Sequence, residues 1–321
     1  MVKLIAYARL IRLPILALIA FIQYAARYFI IQPMLEINGF ELMMSNRDFF
    51  LLVLSTILIA AGGYSINDYF DVKIDRVNKL KRVIVDRIIK RRIAMALHVV
   101  LSALGMVIAG YVCWHIGLWK LSALFIFAIF TLWYYSTTLQ HQVFAGNLSI
   151  ALMSAFVPLV VGLTEIPLQN AAHPESVKQL GYSIFNIPAY WLLGLSGTIF
   201  ILTLIREITK DVIDLRGDRI FGSKTIPNQF GIKVTKSILI GLYALFGGLF
   251  SWVYFELLSV HIGLSTVFAV VALLIILEFI LIFRARTKPH FLHSANLNVL
   301  ITLILILSTY LIKVSIESYF A

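Results

Sequence analysis

Long, continuously apolar runs restrict this chain to a membrane-spanning fold. Nine such runs follow one another with short polar loops between them, at 13–31, 49–66, 93–113, 117–135, 147–163, 189–207, 237–255, 259–283 and 294–316. A membrane-spanning helix needs roughly 20 mostly apolar residues, and these runs are of about that size. Because the runs do not alternate between apolar and polar residues, they predict helices and not the strands of a barrel.

The composition agrees with a membrane protein. Of the 321 residues, 60% are hydrophobic and only 13% are charged, whereas soluble globular chains carry roughly 45–50% apolar and about 25% charged residues. No polar linker or low-complexity segment divides the chain. We therefore predict an all-α integral membrane protein, a bundle of about nine transmembrane helices, with residues 1–321 forming a single domain. The first run has no clear cleavage pattern and is expected to be retained.

Positive charges indicate the orientation of the chain. The formal net charge is +11, and 22 of the 27 lysines and arginines precede the first run or follow the second, sixth and eighth runs. Cytoplasmic loops carry such an excess, so we expect these loops in the cytoplasm. The cations lie in short loops between apolar runs, which favours membrane orientation and anionic ligands over nucleic-acid binding. We predict a multi-pass protein of the cell inner membrane whose functional site faces the cytoplasm.

Two acidic clusters lie at the ends of apolar runs on the predicted cytoplasmic side. Their sequences are NDYFDVKID at 67–75 and KDVIDLRGD at 210–218. Residues four apart share a face of a helix, so each cluster presents several oxygen atoms in one direction, and the two could face each other across a central cavity. The residues concerned are Asn67, Asp68, Asp71 and Asp75 in the first cluster and Asp211, Asp214 and Asp218 in the second.

Carboxylates at this spacing repel one another, and the cost is larger near hydrocarbon. A hard divalent cation would relieve the repulsion, and Mg²⁺ commonly bridges carboxylates to the phosphate oxygens of a substrate. The surrounding lysines and arginines would bind the remaining phosphate charge. A single aspartate near a helix end is often only a cap or a solvated loop residue, but two matched clusters on one side favour a diphosphate site. Apolar helices could hold a long hydrocarbon tail.

Both clusters resemble motifs of the UbiA superfamily of intramembrane prenyltransferases. Residues 67–75 match its NDxxDxxxD motif at every fixed position, and Asp214-Leu215-Arg216-Gly217-Asp218 matches its DxxxD motif. The stretch from Arg206 to Asp218, followed by Lys224-Thr225-Ile226-Pro227, looks most like geranylgeranylglycerol-phosphate geranylgeranyltransferases. The resemblance implies a helical bundle around a central cavity and Mg²⁺-dependent transfer of a prenyl group from an allylic diphosphate to a membrane-associated acceptor.

The resemblance also assigns roles to residues of this sequence. It implies that Asn67, Asp71 and Asp75 serve one Mg²⁺ centre and that Asp214 and Asp218 serve a second, so that the four aspartates are the catalytic candidates. The expected substrate-binding residues are Asn67, Asp68, Arg12, Lys79, Lys81, Arg82, Lys210, Asp211 and Tyr135. Aromatic faces near the prenyl chain could stabilise a carbocation, and the candidates are Tyr64, Tyr69, Tyr134 and Tyr135. Gly62-Gly63 either allows helices to approach closely or frees the backbone near the diphosphate.

Two segments depart from the family pattern. Members often carry a stretch of the kind NKPxRPxxxG after the first motif, whereas residues 78–86 read NKLKRVIVD. Members also often carry a lysine at the end of a YSxxLK stretch, whereas residues 135–139 are followed here by Gln140 and His141. We therefore expect one diphosphate contact of the family to be different in this chain.

Several functions remain open at this point. The leading hypothesis is a prenyltransferase with a glycerol-phosphate ether lipid as acceptor, and the alternative within that class is an aromatic quinone precursor. A secondary transporter could use paired aspartates for ions, but transporter sites usually lie near the bilayer midplane and not at helix ends among cations. A scaffold that has lost its activity is the third hypothesis, and the intact aspartate spacing argues against it.

Overall fold

In the part of the chain that the computed structural model describes, nine helices are long and apolar enough to cross a membrane. The structure describes residues 2–78, 83–175, 183–258 and 262–320. A short helix, α1 (Val2–Leu10), is followed by α2 (Leu13–Glu36), α3 (Asn46–Asn78), α4 (Arg91–His115), α5 (Ser122–Thr137), α6 (Ala145–Ala172), α7 (Asn186–Phe221), α8 (Ile226–Val253), α9 (Ile262–Arg284) and α10 (Lys288–Phe320). The prediction of an all-helical bundle is confirmed for the described residues. The eighth predicted run begins at 259–261, which lie outside them.

Helices α3 and α7 are longer than a bilayer requires. They contain 33 and 36 residues, or about 50 Å of helix at 1.5 Å per residue, compared with a hydrocarbon core of about 30 Å. The apolar runs at 49–66 and 189–207 therefore continue as helix through both acidic clusters. This extension places the clusters on helix faces beyond the apolar part of each span.

Small residues let α3 and α4 pack closely. A Cβ added to Gly62 would lie 2.5 Å from Ser102 Oγ, and one added to Gly105 would lie 2.8 Å from Ile59 Cγ1. Gly63 points to another neighbour, since a Cβ there would lie 2.9 Å from a methyl group of Leu132 on α5. Gly62 therefore allows α3 and α4 to approach closely, which is one of the two roles predicted for Gly62-Gly63.

A buried polar network secures the end of the bundle opposite the acidic clusters. The Glu165 carboxylate on α6 accepts hydrogen bonds from the amides of Met43 (2.5 Å) and Met44 (3.2 Å). Arg27 Nη2 on α2 donates to the carbonyl oxygen of Met44 at 2.5 Å. Charged groups buried in a membrane protein are costly unless they are bonded, and here they bind the loop between α2 and α3 to the helices around it.

Candidate active site

The two helices that carry the acidic clusters meet at their cluster-bearing ends. Asn78, the last residue of α3, donates from Nδ2 to the carbonyl oxygen of Asp214 at 3.0 Å and accepts from the amide of Gly217 at 2.9 Å. A Cβ on Gly217 would overlap the Asn78 side-chain amide. The glycine of the LRGD sequence therefore allows the end of α3 to dock directly on α7.

In the first cluster the side chains are joined to one another and to a turn from elsewhere in the chain. Asn67 Nδ2 donates to Asp71 Oδ2 at 2.7 Å, as expected for residues four apart on a helix. Gln140, in a short 3₁₀ turn Leu139–His141 between α5 and α6, donates from Nε2 to Asp71 Oδ1 at 2.9 Å and accepts from Asn67 Nδ2 at 3.1 Å. Gln140 thus occupies the place where family members often have lysine.

In the second cluster, Asp218 contacts residues just beyond the end of α7, and Asp211 contacts α6. Gly222 has a left-handed conformation (φ 73°) and ends α7, a position that favours glycine. Beyond it, the Ser223 amide donates to the carbonyl oxygen of Asp218 at 2.9 Å, and Thr225 Oγ1 lies 3.4 Å from Asp218 Oδ2. Asp211 accepts a hydrogen bond of 2.9 Å from Asn147 Nδ2 on α6.

Arg12 reaches the first cluster from the segment between α1 and α2. Its backbone is left-handed (φ 54°), an uncommon conformation for a residue with a Cβ. Its guanidinium lies 3.3 Å from Asp68 Oδ1 and 4.6 Å from the centre of the Tyr64 ring. Burial by itself lowers the pKa of Arg12, but Asp68 and other nearby groups outweigh burial, so the pKa is raised above its ordinary value.

A second group of charges lies on α7, one turn before the second cluster. Glu207 is buried, with Lys210 Nζ at 2.7 Å from Oε2 and Arg206 Nη2 at 3.3 Å from Oε1. The carboxylate holds both cations in place through charge-assisted hydrogen bonds. Neither Arg206 nor Glu207 was given a role from the sequence alone, although a charge at the end of an apolar run, close to Lys210-Asp211, is a signal that could have identified them.

These charges line one end of a cavity between the helices with a volume of about 230 Å³. Helices α2, α3, α5, α6, α7 and α10 enclose it. The polar end consists of Arg12, Tyr64, Asn67, Tyr135, Arg206, Glu207 and Lys210. The rest of the wall is predominantly aliphatic and aromatic, contributed by residues such as Ile59, Ala128 and Phe156. The cavity therefore combines a charged end with an apolar body, as a diphosphate with a hydrocarbon chain requires.

The structure places the predicted site residues in different ways. Arg12, Asn67, Tyr135 and Lys210 line the cavity, whereas Asp68, Asp71, Asp75, Asp211, Asp214 and Asp218 are not among its wall residues. Lys79, Lys81 and Arg82 lie outside the described residues. Within the described ranges, no three histidine, cysteine or acidic side chains come together as a metal-binding group. The acidic residues stand instead as two sets on α3 and α7.

The four tyrosines predicted to stabilise a carbocation also fall into two groups, those in the cavity wall and those outside it. Tyr64 and Tyr135 line the polar end of the cavity. Tyr69 lies under the guanidinium of Arg91, 4.5 Å from ring centre to Cζ, and Tyr134 is 40% exposed on the outside of the bundle. Neither Tyr69 nor Tyr134 is part of the cavity wall.

Comparison with known proteins identifies the family. The model of the UbiA prenyltransferase family matches residues 39–304. Digeranylgeranylglyceryl phosphate synthase of Thermococcus kodakarensis is 31% identical to this chain over 187 residues, which cover 57% of each protein. The protein of the same name from Sulfurisphaera tokodaii is 34% identical to this chain over 178 residues, which cover 56% of each protein. The chain thus matches a little over half the length of these curated relatives.

Solved structures share the fold over nearly the whole chain. A structure described as digeranylgeranylglyceryl phosphate synthase in membranes has a TM-score of 0.65 at 20% identity and covers 98% of this chain and all of its own. A UbiA homologue from Archaeoglobus fulgidus bound to GPP and Mg²⁺ has a TM-score of 0.55 at 16% identity and covers 95% of this chain and 99% of its own. Taken with the family-model match, these likenesses lead to one conclusion: the chain is an integral membrane protein that belongs to the UbiA prenyltransferase family.

Proposed function

We propose that the protein transfers a prenyl group from an allylic diphosphate to a hydroxyl of a glycerol-phosphate ether lipid of the geranylgeranylglycerol phosphate type. The observation that carries this proposal is the cavity, with Arg12, Lys210 and the predicted metal ligand Asn67 at one end and an apolar body behind them. The names of the curated relatives support the acceptor class. The GPP bound to the A. fulgidus homologue supports the donor class.

The residues of the two clusters fit Mg²⁺ as cofactor. Their side chains offer only carboxylate and amide oxygens, the donors that this hard cation prefers, and the A. fulgidus homologue was solved with Mg²⁺. In this proposal Asn67, Asp71 and Asp75 hold one ion, and Asp214 and Asp218 hold a second. When bound, Mg²⁺ neutralises charge that develops on the departing diphosphate.

The chain's own residues would then bind the substrates and exclude water. Arg12, which Asp68 orients, and Lys210, which Glu207 orients, would contact phosphate oxygens. Asn147 would hold Asp211 at the rim of the site. Lys79, Lys81 and Arg82, which lie outside the described residues, would add further positive charge. The apolar wall would keep water from the reacting carbon, and Tyr64 and Tyr135 would present aromatic rings to it.

The reaction exchanges one carbon–oxygen bond for another. The bond between C1 of the prenyl chain and the diphosphate oxygen breaks, and the electron pair leaves with the diphosphate. The acceptor hydroxyl oxygen forms a new bond to C1, giving an ether, and its proton is released to solvent. Both lipid substrates would reach the site from the membrane, and the charged end of the cavity would face the cytoplasm at the cell inner membrane.

The test uses purified protein with labelled geranylgeranyl diphosphate, with Mg²⁺ or with a chelator, and with either geranylgeranylglycerol phosphate or 4-hydroxybenzoate as acceptor. We expect Mg²⁺-dependent formation of the ether with the first acceptor, detected by mass spectrometry. Prenylation of the aromatic ring instead would overturn the acceptor assignment. Absence of transfer together with absence of Mg²⁺-dependent diphosphate binding would overturn the enzyme assignment and favour a transporter or an inactive scaffold.

A further inference from the structure

The turn that contains Gln140 contacts the first acidic cluster and the segment that follows α7. Its two successive side chains go to different segments: Gln140 bonds Asn67 and Asp71 on α3, and His141 Nδ1 lies 3.0 Å from Ser223 Oγ beyond the end of α7. The backbone of the turn contributes as well, since the Lys224 amide donates to the carbonyl oxygen of His141 at 2.9 Å. The turn therefore links the first cluster to the segment beyond α7, where the Ser223 amide donates to the carbonyl oxygen of Asp218.

The Gln140 amide uses both of its functional groups. Nε2 donates to Asp71 Oδ1 and to the carbonyl oxygen of Ser136, both at 2.9 Å, while Oε1 accepts from Asn67 Nδ2. A lysine at this position could donate to Asp71 but could not accept from Asn67. The glutamine therefore forms a closed set of hydrogen bonds with two predicted metal ligands, which a lysine cannot reproduce.

This arrangement also determines which atom of Asn67 remains for a ligand. Asn67 directs Nδ2 to both Asp71 and Gln140. Its carbonyl oxygen takes part in neither bond, and that oxygen is the atom able to coordinate a hard cation. Asn67 also lines the cavity, so its orientation bears directly on what the polar end can bind.

Local packing holds the turn in place. A Cβ added to Gly146, in the first turn of α6, would lie 2.8 Å from the carbonyl oxygen of Leu139 and 2.9 Å from the Cα atom of Gln140. The start of α6 thus packs directly against the turn backbone. On the side of the second cluster, Ser223 continues the connection through its amide, which donates to the carbonyl oxygen of Asp218.

We propose that Gln140 is a positioning residue, which orients Asn67 and Asp71 for Mg²⁺ and diphosphate and does not itself bind phosphate as the family lysine is expected to do. This inference rests on the proposed function, because it presumes that Asn67 and Asp71 serve a Mg²⁺–diphosphate complex. Groups that orient metal ligands commonly change metal affinity about 10- to 100-fold when they are removed. A similar loss of Mg²⁺-dependent diphosphate binding is expected here.

The test compares Gln140→Met with Gln142→Met in the full chain. Gln140→Met keeps the length of the side chain and removes its hydrogen bonds. Gln142 is exposed and lies two residues further along the same loop, so it is the matched control. Binding of inorganic diphosphate is measured by calorimetry over a range of Mg²⁺ concentrations. We expect Gln140→Met to raise the Kd for diphosphate about tenfold or more. The Mg²⁺ concentration needed for half-maximal binding should rise by a similar factor. Gln142→Met should change neither quantity.

Unchanged binding by a folded Gln140→Met protein would overturn the proposal, even if its unfolding temperature fell, since the turn would then be only structural. If Gln140→Met does not fold, Gln140→Asn replaces it, because it keeps an amide but is one methylene too short to reach both partners, and the same loss of binding is expected. Failure of the unmodified protein to bind diphosphate with Mg²⁺ would overturn the proposed function itself. The two failures can be told apart, because equal binding by the unmodified protein and the variant would contradict only the role of Gln140.

Discussion

Asp71 is the residue whose loss most directly tests the proposed chemistry. Its carboxylate is half-buried and accepts hydrogen bonds from Asn67 and Gln140. We expect Asp71→Ala to lower kcat for prenyl transfer by about 10²–10³ or more, as loss of a group that stabilises transition-state charge does. The unfolding temperature should fall by no more than about 2–4 °C, which corresponds to about 1 kcal/mol.

The same result is expected for Asp214→Ala on the other helix. Glu317→Ala is the control, since that side chain is about half exposed, with a relative accessibility of 52%, and pairs with Lys313 at 3.6 Å. Near-normal turnover by both aspartate variants would exclude the two-centre metal arrangement.

His141 should make the stability of the folded protein depend on pH. Burial lowers the pKa of its imidazole from the ordinary value of 6.5. The unfolded chain therefore binds this proton more readily, and stability is lost as pH falls from about 6.5 towards the lower folded-state pKa. Above pH 6.5 both states are neutral at this residue and the contribution is constant.

The measurement is the unfolding temperature of the unmodified protein and of His141→Asn between pH 5 and 8. Asparagine keeps a polar group near Ser223 and does not titrate. We expect the unmodified protein to lose more stability than the variant below pH 6.5. Parallel curves for the two proteins would show that His141 does not carry this dependence.

At the scale of helices, the contact between α3 and α7 should depend on Gly217. A methyl group at that position would overlap the Asn78 amide, which bonds the backbone at residues 214 and 217. We expect Gly217→Ala to destabilise the protein by about 1–3 kcal/mol, as overpacking does, and to weaken Mg²⁺-dependent diphosphate binding because the two clusters are displaced.

Gly197→Ala on the same helix is the matched control. A Cβ there meets no atom within 4 Å, so the higher helix propensity of alanine should leave stability unchanged or raise it by up to about 1 kcal/mol. Thermal unfolding and calorimetry of both variants give the comparison. If Gly217→Ala behaved like Gly197→Ala, the Asn78 contact would not hold the two helices.

The helices could be predicted because their signal is local. Length and apolar character identify a span without knowledge of its neighbours, and four-residue spacing identifies a shared face. The contacts that complete the site are not local: Gln140 reaches Asp71 across 69 residues and Asn147 reaches Asp211 across 64. A glutamine or asparagine at a loop or helix start has many possible partners, so no pattern in the sequence alone selects these.

For the whole molecule, the loop charges predict a single orientation in the membrane. Cys113 is the only cysteine and is buried, so an introduced cysteine can be labelled against a low background. We expect an impermeant maleimide to label Glu41→Cys, between α2 and α3, on intact cells. It should label Arg286→Cys, between α9 and α10, only after the membrane is permeabilised. The reverse pattern would place the acidic clusters outside the cytoplasm.

The shape of the cavity should select the length of the prenyl chain. Ala128 on α5 is part of the apolar wall, so Ala128→Phe would occupy space that a long chain needs and leave the polar end intact. We expect kcat/KM for geranylgeranyl diphosphate to fall about tenfold or more, a change within the range that apolar pockets provide. The value for the shorter geranyl diphosphate should change much less.

Ala123→Phe makes the matched comparison, because residue 123 is on the same helix but exposed on the outside of the bundle. It adds the same ring where lipid can accommodate it, so both donors should be used as by the unmodified protein. An equal fall for both donors with Ala128→Phe would mean that the ring disturbs the reacting end and not the far part of the chain. A selective loss of the longer donor would place the hydrocarbon chain in the apolar body of the cavity, against α5.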